Sequence, residues 1–221
     1  MGYEDKVLFG DRTEAGKQLA GMLKPYGSEE MIVLAVPRGG VPISVEVAKA
    51  LKSPLDIVVT RKIPIPSNPE AGYGAVAEDG TIFLNESLVN RLGLSHRQIE
   101  YQAEQVVAEI RRRAELFRGD IPASSLMNKY AVIIDDGLAS GFTMVAAIKS
   151  VQRQRAARIV VASPVASGNA YSMIKPLCDA IVCIRIDHSY PFAVASFYAN
   201  WYDLTDDEVS EYLSMWHKSC A

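Results

Sequence analysis

Tyr130-Ala131-Val132-Ile133-Ile134-Asp135-Asp136-Gly137-Leu138-Ala139-Ser140-Gly141-Phe142-Thr143-Met144 sets the architecture of this 221-residue chain. Ala131, Val132, Ile133 and Ile134 form a continuous apolar run, the pattern of a central parallel strand covered on both faces. Asp135 and Asp136 then fall at its carboxyl end, which is where open α/β sheets bind ligands. Residues 137–143 lead into a helix whose first turn offers backbone N–H groups without intrahelical partners. Gly137 and Gly141 allow a tight turn and a close approach to a ligand, and Ser140 and Thr143 add hydroxyl donors. The layout predicts a sugar phosphate site, with phosphate in the loop and sugar hydroxyls on the carboxylates.

Upstream, Thr13 is read as the cap of a helix over residues 13–23, with Ala15, Leu19, Ala20, Met22 and Leu23 on its apolar side. Residues 31–36 form a buried-type strand, Pro37-Arg38-Gly39-Gly40 turns the chain, and a helix follows over 41–51. A second strand is predicted over 55–60. The next residues, 61–74, hold too much proline and glycine for a helix or a central strand and read as a mobile loop. Residues 74–77 and 81–84, around Glu78-Asp79-Gly80, form a short hairpin with an Asp-Gly turn.

Ser95 with Gln98 makes a capping box for a long amphipathic helix to Arg118, whose Arg111-Arg112-Arg113 run reads as a solvated face. Downstream come a helix to 154, a strand over 158–165, a helix over 168–177 and a strand over 180–186. Thr205 and Glu208 form a second capping box before a C-terminal helix with Val209, Tyr212, Leu213 and Trp216 inward. This alternation is that of a parallel sheet with helices on both faces.

Length and composition suit one α/β domain. A net charge of -3 and a pI near 5.7 give no electrostatic reason to expect nucleic acid and favour small-molecule chemistry. Cys178, Cys183 and Cys220 lack both a Cys-x-x-Cys spacing and nearby histidines, so they read as free thiols. Neither a leader-like N-terminus nor an apolar stretch of about 18 residues is present, so a cytoplasmic protein without a membrane partner is expected.

Residues 132–143, an apolar run, Asp-Asp, three variable positions and Ser-Gly-x-Thr, resemble the fingerprint of type I phosphoribosyltransferases. The resemblance implies a Rossmann-like three-layer core over about residues 30–186, with a central parallel sheet flanked by helices. A small hood and lid from residues 1–29, 63–118 and 187–221 would complete one domain over 1–221. It implies use of 5-phosphoribosyl 1-pyrophosphate with Mg2+, the metal near Asp135 and Asp136, directly or through water. Those two carboxylates would hold the ribose 2- and 3-hydroxyls. Gly137 and Leu138 would belong to the same substrate-binding loop, in which Ala139, Ser140, Gly141, Phe142 and Thr143 would wrap the 5-phosphate.

Two further segments match the same family. Arg38, Gly39 and Gly40 take the place of its pyrophosphate loop, which often carries a cis peptide not before proline; one is expected near Arg38-Gly39. Arg61 and Lys62 follow the second core strand, where relatives set basic residues against pyrophosphate. With Asp136 they are the catalytic candidates, the cations offsetting charge on the leaving group. Residues 63–73 correspond to the lid that excludes water, and Glu70, within Asn68-Pro69-Glu70, is a candidate contact to acceptor or metal.

Over most of its length the chain resembles a bacterial and archaeal branch of predicted phosphoribosyltransferases. The branch features are Asp11-Arg12 with Ala15-Gly16, Pro37-Arg38-Gly39-Gly40-Val41-Pro42, Arg61-Lys62-Ile63, Asn68-Pro69-Glu70 and Phe197-Tyr198. Asn200 stands where that branch is expected to have Asp. Phe142 replaces a small residue of the phosphate loop, so its side chain is expected to point away from the phosphate.

The acceptor stays open. Phe192, after the last core strand, is a candidate to stack on a nucleobase, with an aromatic cluster sealing the hood as the equal alternative, and His188 beside Asp187 as a third candidate. The leading expectation is an enzyme in which a nitrogenous acceptor attacks C1 and pyrophosphate leaves. The alternative is a non-catalytic regulatory protein that senses 5-phosphoribosyl 1-pyrophosphate or a nucleotide. A hydrolase of phosphate esters lacks the carboxylate cluster that two metals require. A homo-oligomer is left open, with the long helix over 95–118 as the surface to share.

Overall fold

Short, mostly apolar runs pair into a five-stranded parallel sheet in the computed structural model, which describes residues 6–27, 30–66 and 68–220, the side chains of Pro69, Glu70 and Cys220 excepted. In chain order the strands and helices are α1 (Arg12–Leu23), β1 (Met31–Ala35), α2 (Gly40–Leu51), β2 (Leu55–Ile57), β3 (Thr60–Ile65), β4 (Asn68–Ala77), β5 (Ile82–Leu84), α3 (Glu86–Leu92) and α4 (His96–Arg118). There follow β6 (Tyr130–Ile134), α5 (Phe142–Arg153), β7 (Arg158–Ser167), α6 (Gly168–Ile174), β8 (Ala180–Asp187) and α7 (Asp206–Cys220). The parallel sheet has the order β2-β1-β6-β7-β8.

Strand pleating sends alternate residues to opposite faces, and the two faces carry separate clusters. Val33, Ala35, Val132 and Ile134 pack toward α1, α2, α4 and α7, while Ile32, Leu34, Ala131 and Ile133 pack toward α5 and α6. Ile32, Ile133 and Ile134 are at most 1% exposed. Each such burial stabilises the fold by roughly 2 kcal/mol. Register then fixes the site: Ala35 pairs with Ile57 and with Ile134, and Ile134 with Ala162. The segments after β2, β1 and β6 therefore leave the sheet side by side.

β3 and β4, which take in residues 61–65 and 68–74, form an antiparallel ribbon rather than a loop, joined by β5 into a three-stranded sheet. The segment stays out of the central sheet, as its proline content requires, but it is stranded rather than a mobile loop because the ladder shifts register on both sides of Pro64, where no regular amide partner is needed. Ile63 and Tyr73 are fully buried beneath it, and Tyr73 Oη donates to Gln102 Oε1 of α4 at 2.6 Å. The expected hairpin at Glu78-Asp79-Gly80 is present, with Gly80 at φ 81°.

Both capping boxes form, at Ser95/Gln98 and at Thr205/Glu208. Asp11, not Thr13, caps α1, accepting from the Glu14 amide at 2.8 Å. The short α3 had too few turns to show a period in sequence. The helix expected over 168–177 becomes α6 and a 3-10 turn over Lys175–Leu177, where Pro176 supplies no amide. Cys178 and Cys183 are free, and burial pushes both thiols up to about 11, away from reactive thiolate chemistry. The side chain of Cys220 lies outside the described residues. Among the described residues no helix is long and apolar enough to cross a membrane.

Candidate functional site

The hydrogen-bond ladder runs one residue past β6: the Val36 amide donates to Ile134 O at 2.8 Å and the Asp135 amide to Ala162 O at 3.3 Å. Asp135 and Asp136 are thus held rigidly at the sheet's carboxyl edge. The Asp136 amide donates to Asp135 Oδ1 at 2.8 Å, and Tyr198 Oη donates to the Asp136 carbonyl at 2.7 Å. Arg12 Nε donates to Asp136 Oδ2 at 2.9 Å, with side chains only 8% and 14% exposed. That guanidinium also donates to Tyr202 O at 2.9 Å and lies 4.1 Å from the centroid of the Trp201 ring. Arg12 is a site residue that sequence reasoning left without a role. Its signal was present as Asp11-Arg12 ahead of the first helix, but its partner is 124 positions away.

Burial, and then the neighbouring Asp136 carboxylate, push Asp135 well above the ordinary 3.8. Burial also pushes Asp136 up, against the opposing pull of Arg12. Two adjacent carboxyls with one cation between them leave acceptor capacity that hydroxyl donors or a second cation would satisfy.

Gly39 and Gly40 close over this pair. A Cβ on Gly39 would collide with the Asp136 carboxylate, and one on Gly40 with the Ile134 carbonyl. The expected cis peptide is present one bond earlier, at Pro37–Arg38. Arg38 Nη1 lies 3.5 Å from Asp206 Oδ1, and Arg61 Nη1 is ion-paired with Glu109 Oε1. Arg113 joins the two pairs, 3.5 Å from Asp206 Oδ2 and 3.7 Å from Glu109 Oε1. Reading the whole 111–113 run as a solvated face therefore fails at Arg113, which α4 turns toward α7 and β3. Lys62 is half-buried on β3, paired in register with Ala75.

In the loop over residues 137–141, the Leu138 amide donates to Val165 O at 2.9 Å, its carbonyl accepts from the Ser167 amide at 2.9 Å, and its side chain is buried. Leu138 is thereby a structural anchor, and its N–H cannot also face an anion. Ser167 Oγ fixes the Ala139 carbonyl at 2.7 Å. Among the described residues no acceptor is found for the amides of Ala139, Ser140 and Gly141. Gly141, at φ 80°, starts α5 and sets Thr143 in its first turn. Gly137 lies against Val194, with no room for a Cβ. Phe142 turns its ring to Phe83 of β5, centroids 5.8 Å apart.

A cleft of about 460 Å³ opens between this loop, the start of α6 and residues 187–192, lined by Ser140, Phe142, Asn169, His188, Tyr190 and Phe192 among others. Phe192 packs on Phe197 at 5.6 Å, as the aromatic cluster sealing the hood would have it, and it also borders the cleft. His188 is exposed, its ring where a Cβ on Gly168 would go. Asp187 serves Ser189 and Lys6 rather than His188; the Ser189 amide, ahead of its hydroxyl and of Lys6, draws its carboxyl below the usual range. Asn200 donates its amide to Gly10 O at 2.9 Å. Glu70 lies in β4 with its side chain outside the described residues.

The phosphoribosyl transferase domain family matches residues 14–199. A Mycobacterium tuberculosis (strain H37Rv) protein named "Putative phosphoribosyl transferase Rv0571c" is 37% identical over 214 residues, which cover 97% of this chain and 48% of its own length. The chain thus spans about half the length of the curated relatives it matches. The crystal structure of TT1426 from Thermus thermophilus is similar with a TM-score of 0.79 at 36% identity, over 94% of this chain and 98% of that one. AQ2163 from Aquifex aeolicus shares the fold with a TM-score of 0.51 at 12% identity, over 80% of this chain and 74% of its own.

Proposed function

The chain belongs to the phosphoribosyl transferase domain family, and on that premise we propose that it transfers the 5-phosphoribosyl group of 5-phosphoribosyl 1-pyrophosphate to a nitrogenous acceptor, releasing pyrophosphate. The observation that carries this reading is the Asp135–Asp136 pair at the sheet edge, bounded by the glycine loop before α5 and pressed against Gly39. The acceptor nitrogen attacks C1 as the bond from C1 to the pyrophosphate oxygen breaks, and that electron pair leaves with pyrophosphate. Asp135 and Asp136 accept hydrogen bonds from the ribose hydroxyls, and Arg12 holds Asp136 in the orientation this requires. Amides of residues 139–143 and the hydroxyls of Ser140 and Thr143 bind the 5-phosphate.

Arg38, Arg61 and Lys62 offset the charge that grows on the leaving group, and the ribbon of β3 and β4 shields C1 from water. The cleft beside Phe192 takes the acceptor, a nucleobase being the class that an aromatic wall suits. Magnesium suits the donor set: it binds one or two carboxylates together with substrate oxygens, and Asp135 and Asp136 supply two hard donors at the ribose position. Bound there, the ion would neutralise part of the pyrophosphate charge. Residues 1–221 are read as one domain working in the cytoplasm on small molecules.

The test is pyrophosphate release from the sugar pyrophosphate over a panel of purine, pyrimidine and amine acceptors, with and without magnesium. The expected outcome is magnesium-dependent release with at least one acceptor. Saturable binding of the sugar pyrophosphate with no release for any acceptor would overturn transfer and leave a sensor.

A further inference from the structure

Arg38, Asp206, Arg113, Glu109 and Arg61 form one chain of alternating charge that runs from the Pro37–Gly40 turn through α7 and α4 to β3. Three cations share two acids, so the cluster carries one positive charge more than it neutralises. Each group keeps between 23% and 40% of its side chain exposed, though Arg61 Nη1, Arg113 Nε and Asp206 Oδ1 are themselves buried, so an anion from solvent meets the other atoms of these groups first. Individual pairs at that exposure are weak and exchange readily for a multiply charged anion. Arg113 is the one member of the chain that touches both acids.

We propose that Arg113 is a positioning residue of the leaving-group site: by sharing Glu109 with Arg61 and Asp206 with Arg38, it keeps both acids from fully neutralising those arginines, and arriving pyrophosphate displaces the acids. The inference rests on the transferase reading above, which sets Arg38 and Arg61 against pyrophosphate. It assigns opposite signs to the two kinds of charge in the cluster. Removing Arg113 leaves one acid for each remaining arginine, so the site loses its excess charge and grips an anion less well. Removing either acid frees a cation and strengthens the grip.

Inorganic pyrophosphate is the probe, titrated calorimetrically at fixed ionic strength into the full chain and into Arg113→Gln, Arg113→Lys, Glu109→Gln and Asp206→Asn, each checked by thermal unfolding. Arg113→Gln should weaken binding roughly fivefold and Arg113→Lys should restore most of it, while Glu109→Gln and Asp206→Asn should each tighten binding roughly threefold. A merely structural cluster would lower the unfolding temperature and weaken binding in every variant. Equal affinities across the set, or weakening by both acid substitutions, overturns the inference alone. A wild-type chain that binds no pyrophosphate overturns it together with the transferase reading.

Discussion

Asp135 carries the residue-scale consequence of burying two carboxyls side by side. Its folded-state value lies above the ordinary 3.8, chiefly through burial and then through Asp136, so the fold favours its protonated form. The stability linked to that preference is present in full below about 3.8 and is lost as pH rises through the folded value. Asp135→Asn keeps an acceptor for the Asp136 amide and removes the charge. Thermal unfolding at pH 7.5 should therefore find the variant roughly 3 °C more stable than wild type, with the gap closing as pH falls toward 4. A wild type that is the more stable of the two at pH 7.5 would contradict the assignment. A residue kept for binding, the role proposed for Asp135, commonly weakens the fold it sits in. Arg12 opposes the effect of burial at both carboxyls, by charge at Asp135 and by charge and a hydrogen bond from its Nε at Asp136.

At the scale of elements, the site is two loops pressed together across neighbouring strands. Gly39 has φ -62° and ψ -30°, which any residue adopts, so its lack of a side chain serves space and not backbone freedom. Gly39→Ala should displace the Asp136 carboxylate or the loop and cost about a hundredfold in turnover, with the secondary structure unchanged by circular dichroism. Turnover within twofold of wild type would show that the two loops need not touch. The strands and most helices were legible because apolar runs and capping boxes are local signals: Ser95 with Gln98 marks the first turn of α4 directly. The ribbon of β3 and β4 was not, since its prolines are tolerated by a register shift that only the partner strand reveals. For the same reason Asp135 and Asp136 could be read from their motif, whereas Arg12, Glu109 and Asp206 acquire roles only through distant contacts.

Across the whole molecule, the parallel register gathers the ends of β1, β2 and β6 at one edge, and the helices and ribbon around them supply the charged groups. Asp135 and Asp136 follow β6, while Arg38, Arg61 and Arg113, from the Pro37–Gly40 turn, β3 and α4, are linked to one another through Asp206 and Glu109. The acid pair is proposed as the ribose half of a site for the sugar pyrophosphate. Calorimetric titration of 5-phosphoribosyl 1-pyrophosphate with magnesium into wild type and into the Asp135→Asn/Asp136→Asn double variant tests it most directly. Wild type should bind saturably and the variant at least about a hundredfold more weakly, since two charge-assisted acceptors are removed, with folding intact by circular dichroism. Affinity in the variant within twofold of wild type would contradict it.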